Sequence, residues 1–551
     1  MAGILIFLVA LCARLVPLQF SDLPYNIDGF PLARISELFI ETGSNPSTPD
    51  YGGLLAYNMK LPIFSLLLAV FSLVLGIAPF TLLPYFCALI GSFAVVFIFA
   101  LARKLTGNDL AAFSAGIFAA LTGLFVYVTA AAMKQLLAIT LLCFVLYLYT
   151  NRRDWRFRAA MAVTLVILPF THHLTSLIAL LILSFALVGT AFRRSEHHVR
   201  TLKEFTLDAV FGPGILMMSV FYYKLSNMEI ASEVLNANDA VLLASVAIIM
   251  AVLARIMSMT AQTKPWFFLR KDAEMNIWTI FDEKVLVLIG GIGALYLNSR
   301  LNLFTGAQTT SDTLLRMIFP YLALSVIALI GFNVLRYSKF TMRHLVIGMF
   351  MAPLSVMGFS LLRAMDVFSF MVVYRSYNFI DIPLAITAGV GIAYIIGRLL
   401  KQAKENRFFA PLPAFALGIF IMFCAISLPL AYSSEELFNV QEVTYEYETY
   451  AMDWAADHGI SNVVTDQRYG DIIEPYRGIE SDNTGPWRIR GSMLHAGDTL
   501  LVSNGWTAGG AQMYPLENIV FEEADMAAKL DSWNVCYMGG PEGSEIIIAV
   551  V

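Results

Sequence analysis

The chain has 551 residues, 58% of them hydrophobic and only 14% charged, with a mean hydropathy of +0.70. A soluble protein carries about a quarter charged residues, so an ordinary soluble protein is excluded. Repeated apolar runs of about 20 residues instead point to a polytopic α-helical membrane protein, with no call for a nucleic-acid partner.

The formal net charge of −5 hides a split. Beyond residue 433 the basic residues are Arg468, Arg477, Arg488, Arg490 and Lys529, against twenty acids. The rest of the chain is therefore basic, and its basic residues sit mostly in short loops. Cys12, Cys87, Cys143 and Cys424 fall in apolar segments and Cys536 stands alone in the tail, so neither a disulfide framework nor a metal spacing follows.

The first apolar segment, 3–20, has no basic stretch ahead of it and no clear small-residue cleavage site behind it, and reads as a retained span. The stretch 25–37 follows, with Asp28 at the membrane edge. Pro31 suits the first turn of a helix. Asp28 then precedes that helix, where free N–H groups and the macrodipole favour a carboxylate. Ile35, Leu38, Phe39 and Ile40 form an apolar stripe, which predicts a helix lying along the interface. On its own Asp28 reads as an N-cap; at a membrane surface an ionisable group also reads as function.

Fourteen apolar segments follow one another: 3–20, 62–78, 81–102, 109–127, 131–150, 157–172, 175–192, 207–225, 239–260, 285–299, 314–335, 344–362, 379–397 and 411–431. The positive-inside rule puts six basic clusters in the cytoplasm. These are Arg103 and Lys104; Arg152 to Arg158; Arg193 to Lys203; Lys264 to Lys284; Arg336 to Arg343; and Arg398 to Arg407. The assignments agree only if segment 62–78, bounded by Pro62 and Gly76, does not cross. About thirteen transmembrane helices then remain, with the N-terminus cytoplasmic and the acidic loops and tail extracytoplasmic. The expected domains are a transmembrane domain at 1–432, with a first outer loop at 21–80, and a soluble extracytoplasmic α/β domain at 433–551. In the tail, a helix is predicted over 445–458 and strands over 462–465, 499–502, 518–521 and 546–550.

With that topology the outer face of the plasma membrane collects Asp28, Arg34, Lys60, Lys134, His172, His173, Arg300, Asp312, Arg316, Arg363, Asp366 and Arg375. Any single Lys or Arg there has a simple alternative, snorkelling to headgroups. The His172–His173 pair lies in a short turn; it could donate to a phosphate or bind metal, or merely close a helical hairpin. Taken together, cations suit the phosphate of a lipid-linked donor and one carboxylate suits a general base. That is glycosyl transfer with a polyprenyl-phosphate leaving group, stabilised electrostatically.

At this point the chain resembles the GT-C superfamily of integral-membrane glycosyltransferases. Asp28 with Arg34 six residues on is similar to the Asp-x5-Arg of the oligosaccharyltransferase catalytic subunit, whose Asp is catalytic and binds metal. Lys60-Leu61-Pro62 is similar to the Lys-Pro of aminoarabinose transferases, where the Lys contacts lipid phosphate. The Arg103–Gly107 stretch ahead of an Ala-rich span also recurs in the superfamily. Arg375, ahead of the late span through Asp381 and Pro383, resembles an outer-end Arg that contacts donor phosphate.

Two motifs of the oligosaccharyltransferase are missing. Where Trp-Trp-Asp would stand, the chain reads Val463 to Asp471; where an Asp-x-Glu pair would stand, it reads Tyr127 to Lys134, without an acid. With those motifs missing, a monosaccharide transferase fits better: the polar groups of the outer face give Asp28 as base, and Arg34, Lys60, His172, His173, Arg363 and Arg375 toward a polyprenyl- or dolichyl-phosphate-linked donor. The acceptor would be a glycan, lipid or protein, and a divalent metal has no second acidic motif to hold it. An acidic outer domain without disulfides suits a prokaryotic cell surface, an archaeal one included. Two other classes compete: a flippase for a lipid-linked sugar, and a non-catalytic scaffold of the same fold.

Overall fold

A computed structural model describes residues 1–45, 53–194, 202–226, 237–260, 312–337, 342–363, 367–433, 440–513 and 517–551, with short pieces at 289–290, 292–293 and 296–297. Arg300 and Asp366 lie outside the described residues, as does most of segment 285–299. The chain divides into two compact units. The first comprises Met1–Arg14, Leu89–Thr129 and Lys134–Tyr432; the second comprises Leu15–Ala88, Ala130–Met133 and Ser433–Val551.

The first unit is helical and apolar. Helix Asp381–Glu405 lies at its centre, packed on Asp312–Tyr337 and Asp109–Leu121. Glycines make that packing possible. A Cβ at Gly389 would fall 2.3 Å from the Ala111 carbonyl oxygen, and one at Gly391 would fall 2.1 Å from that of Ile327. Apolar helices in lipid gain little from hydrophobic burial against each other, so close backbone approach at small residues carries the association.

The expected span at 109–127 is broken. Helices Asp109–Leu121 and Gly123–Ala130 meet at 64°. The break leaves carbonyls without helical partners, and Arg14, buried in the last turn of Ala2–Arg14, takes them up. Its guanidinium donates to the carbonyls of Ala119 (3.2 Å) and Ala120 (3.4 Å) and to Thr129 Oγ1 (2.7 Å). A cation at a helix C-terminus also opposes the macrodipole. A buried ion pair joins Arg152 to Asp208 at 2.8 Å, with Arg158 on the same carboxylate at 3.3 Å.

Among the described residues, six helices are long and apolar enough to cross a membrane, or seven if the bent pair is one span. Thirteen were expected. The difference lies partly in short helices, such as Ala2–Arg14 and Lys134–Thr150, and partly in residues outside the described set. Ile63–Leu75 has 13 residues, about 20 Å at 1.5 Å per residue. That is well under the roughly 30 Å hydrocarbon core, in keeping with a segment that stays on one side.

In the second unit, helix Gly29–Thr42 forms where the sequence predicts it. Its apolar stripe is covered by protein: Ile35 and Leu38 pack with Leu55, Met59 and Phe39. Two serines lock it to Ile63–Leu75, Ser36 Oγ donating to the Ser65 carbonyl (2.9 Å) and Ser65 Oγ to that of Leu32 (3.0 Å).

The same unit holds a five-stranded sheet in the order β2-β1-β3-β7-β6. The strands are β1 (Asn462–Val464), β2 (Glu480–Asp482), β3 (Thr499–Ser503), β6 (Asn534–Gly539) and β7 (Ile546–Val550); β4 (Ala511–Met513) and β5 (Glu517–Ile519) form a separate pair. β1 runs parallel to β2 and β3, and β7 antiparallel to β3 and β6. Central β7 is buried through Ile546–Ala549, hence its unbroken apolar run. β2, β4 and β6 escaped the sequence reading: β2 and β4 are three-residue strands without an apolar run, and the apolar run 535–538 of β6 is one that reading does not pick out. Parallel strands need a crossover; helix Gln467–Arg477 supplies the one between β1 and β2.

Candidate active site

Asp28 occupies the N-cap position of Gly29–Thr42, yet its side chain makes no capping bond. The backbone around it is held instead. The Asp28 N–H donates to Asn26 Oδ1 (2.9 Å). Asn26 adopts φ +87°, a conformation Asn tolerates better than most residues. The Asn26 N–H donates to the Glu442 carbonyl (2.9 Å), and the Ala132 N–H to that of Tyr25 (2.7 Å). Gly29 has no room for a side chain, since a Cβ would sit 2.6 Å from that of Pro24 and 2.7 Å from that of Ala132.

The crossover helix brings a second carboxylate to Asp28. Phe30, two residues on, stacks edge-on against Tyr476 at 6.0 Å, and Asp471, on the same helix as Tyr476, faces Asp28 electrostatically. Burial pushes the Asp471 carboxyl up to about 7; the charges of Asp28, Glu474 and Asp466 add to that, while a hydrogen bond from Gln467 Nε2 (3.2 Å) opposes it. Two carboxylates whose environments differ are the pattern of acid–base work.

The neighbouring polar residues are structural. Asp466 caps the crossover helix, accepting from the N–H groups of Tyr469 and Gln512, each at 2.9 Å. Burial raises its carboxyl to about 6 in spite of those bonds. Arg468 is buried and bonds Glu448 with both terminal nitrogens (2.7 and 2.9 Å). Glu448 also accepts from the Tyr469 hydroxyl (3.1 Å) and the Tyr445 N–H (2.7 Å). The stretch that stands in place of a Trp-Trp-Asp motif thus builds a buried ion pair and delivers Asp471.

Arg34 pairs with Glu37 (3.0 Å) and Glu41 (3.4 Å) on its own helix. Lys60 is half-buried in the turn between Gly53–Met59 and Ile63–Leu75. Asp28, Arg34 and Lys60 belong to the second unit; His172, His173, Arg363 and Arg375 belong to the first.

In the first unit, the structure brings four groups together. His172 is buried at the end of a short 3-10 turn, Leu168–Phe170, and His173 opens helix His173–Arg194. Their rings stack at 5.3 Å. The Thr175 N–H donates to His172 Nδ1 (3.3 Å), and the Thr175 hydroxyl lies 2.9 Å from the same nitrogen. Lys134 and Arg375 both lie within electrostatic range of the pair. Lys134 is only 6% exposed, and its neighbour Gln135 donates to the Arg375 carbonyl (3.2 Å), tying the two chain segments together. Such a convergence of N–H donors and positive charge matches an anion with several oxygens.

Arg363 is engaged elsewhere, with Asp239 at 3.2 Å. Asp381, six residues past Arg375, is buried and accepts from the Tyr321 hydroxyl (3.0 Å). Sequence reasoning passed over Asp471, Asp381 and Arg14. Only for Asp381 was there a signal, an acid at the start of an apolar run.

The resemblance implies a divalent metal at Asp28, and the donor set does not fit one. Among the described residues no group of three or more His, Cys, Asp or Glu could hold a metal ion. The second-loop position where the resemblance expects acids ends in Lys134, a cation.

The described residues form a helical unit with helices of membrane-crossing length and an early broken helix, and a second unit that carries a small α/β sheet. No protein-family model matches the chain, and no curated protein matches its sequence. Solved structures do match. The chain is similar to the apo oligosaccharyltransferase of Archaeoglobus fulgidus, with a TM-score of 0.56 at 13% identity, over 92% of this chain and 70% of that one. It is similar to the same organism's AglB in complex with an inhibitory peptide and a dolichol-phosphate (TM-score 0.52, 12% identity, 99% and 74%). A complex with Zn and sulfate matches as well (TM-score 0.53, 12% identity, 99% and 73%).

Proposed function

We propose that the chain is a membrane glycosyltransferase that moves a sugar from a polyprenyl-phosphate-linked donor to an acceptor on the outer face of the membrane. What carries this reading is the likeness of fold, over nearly the whole chain, to an oligosaccharyltransferase, one form of which was solved with a dolichol-phosphate. Asp28 takes the proton of the acceptor hydroxyl or amine. The acceptor atom bonds the anomeric carbon as the bond from that carbon to the phosphate oxygen breaks. The lipid phosphate leaves with the electron pair, and a single displacement inverts the anomeric centre. Lys60, His172, His173 and Arg375 hold the departing phosphate through charge-assisted hydrogen bonds. Arg34 and Arg363, each already paired with carboxylates, bind the donor in support. Asp471 faces Asp28 as a second carboxyl group.

The test is sugar release from radiolabelled polyprenyl-phosphate sugars by the purified full chain. Asp28→Asn is expected to cut transfer by about 100- to 10,000-fold with the thermal melting curve unchanged. Transfer at the wild-type rate removes Asp28 from the mechanism. A transporter of lipid-linked sugars is the second reading, favoured by the broken helix at Thr122, because interrupted helices line transporter sites. Flipping without transfer in reconstituted vesicles decides for it.

A further inference from the structure

The stretch Met371–Glu405 is long and apolar enough to cross a membrane, and it contains a carboxyl group, Asp381, that is only 1% exposed. An ionisable group in such a segment is costly and marks a functional site by default. The start of helix Asp381–Glu405 favours a carboxylate through the macrodipole. That accounts for the residue type but not for its hydrogen bonding. Oδ1 accepts from the Tyr321 hydroxyl at 3.0 Å, whereas Oδ2 is buried with no partner among the described residues. A buried polar atom left so carries its full desolvation penalty. Helix Asp381–Glu405 packs here on Asp312–Tyr337, which bears Tyr321, and on Asp109–Leu121, the first half of the bent pair. Tyr321 lies against Thr122, at the bend, and its ring meets that of Phe118 edge-on, 6.5 Å between centroids. Tyr377 is within electrostatic range of both Tyr321 and Asp381 and is 36% exposed, which sets the buried pair beside an exposed ring. Interrupted helices gather around ligand sites in membrane proteins.

The chemistry of the open oxygen narrows its partner. Ionised, Oδ2 only accepts; protonated, it donates. An ammonium group or a metal ion answers the first state alone, and a phosphate dianion the second alone. A hydroxyl both donates and accepts, so it answers either state and brings no charge that must lose its water. The aromatic side chains of Tyr321, Tyr377 and Phe118 suit the apolar C–H face of a sugar ring. We infer that Asp381, oriented by Tyr321, binds a hydroxyl of the sugar that is transferred and so determines which sugar is accepted. The inference rests on the reading of a lipid-linked sugar donor given above, and goes further in assigning the group that reads the sugar. No bond is made or broken at Asp381.

The probes are polyprenyl monophosphate and its mannose, glucose and N-acetylglucosamine esters, titrated into the full chain in detergent micelles. The readout is the ratio of affinities for the sugar-bearing and the bare lipid. Wild type is expected to prefer at least one sugar-bearing lipid by about ten-fold or more, because a site built to hold a hydroxyl discriminates strongly against a ligand that lacks it. Asp381→Ala is expected to bring that ratio below about three-fold, with affinity for the bare lipid within about two-fold of wild type. Asp381→Asn, whose amide still meets a hydroxyl, should fall between the two. Tyr321→Phe, which leaves the carboxyl unoriented, should lower the ratio about two- to five-fold, and it carries the test should Asp381→Ala fail to fold. Folded variants that keep the wild-type ratio overturn the inference and leave Oδ2 to a buried water. Equal weakening of all four lipids overturns it in favour of a structural role, and so does a wild type that binds all four alike. Each of these results leaves the donor reading standing. Wild type that binds none of the four overturns the donor reading itself.

Discussion

The two units solve opposite electrostatic problems. The second collects acids, with Asp28 facing Asp471 beside a buried Arg468–Glu448 pair. The first collects cations, Lys134 and Arg375 around two stacked histidines. In the second unit the excess charge is managed by burial that keeps a proton on a carboxyl and by a strong internal ion pair. In the first, two cations lie within electrostatic range of two stacked imidazoles, and Gln135 ties the Lys134 segment to the Arg375 carbonyl. One region concentrates carboxyl groups in unequal environments, the other concentrates cations around two imidazoles.

The sharpest way to break the contrast is to unbalance the ion pair of the second unit. Glu448→Gln leaves Arg468 buried without its carboxylate, and losing one partner of a buried pair costs about 3–5 kcal/mol. Thermal melting should fall accordingly, and the crossover helix should lose hydrogen-exchange protection first. A drop of less than about 1 kcal/mol means the pair is more solvated than its burial implies. Arg375→Ala comes next. Losing a charge-assisted contact worth about 1.5–3 kcal/mol should weaken binding of polyprenyl phosphate about 10- to 100-fold, with little effect on melting.

Asp471→Asn tests the acidic side through pH. The folded-state carboxyl is raised to about 7, against about 3.9 in an unfolded chain. Between those values the folded state binds more protons, so stability falls as pH rises and levels off above 7. The amide should therefore be more stable than wild type at pH 8, with the advantage shrinking toward pH 5. Melting curves that shift equally at both pH values remove the like-charge coupling. The smallest effect belongs to Arg34→Ala, whose partners Glu37 and Glu41 lie on the same partly exposed helix; a cost of about 0.2–1 kcal/mol is expected. A larger loss would mean Arg34 holds more than its own helix.

Several features were legible in the residues themselves. Apolar run length called for membrane-crossing helices. The helix after Asp28, and the tail helix Glu446–Asp457 with its apolar face on the sheet, follow from periodicity and caps. These are local signals, set by spacing of a few residues. A strand without an apolar run, such as β2, carries no such signal, because its place is decided by the neighbour it pairs with.

The sequence by itself determined that this is a helical membrane protein with an acidic α/β tail, since hydropathy and charge act through composition, and it named Asp28, the histidine pair and Arg375 as the polar groups to watch. Only the tertiary structure decided their company: that Asp471 faces Asp28, that Lys134 joins the histidines, and that Arg363 is paired with Asp239. Those pairings join residues up to hundreds of positions apart, brought together by a crossover helix and by glycine-mediated helix packing, and no periodicity records them.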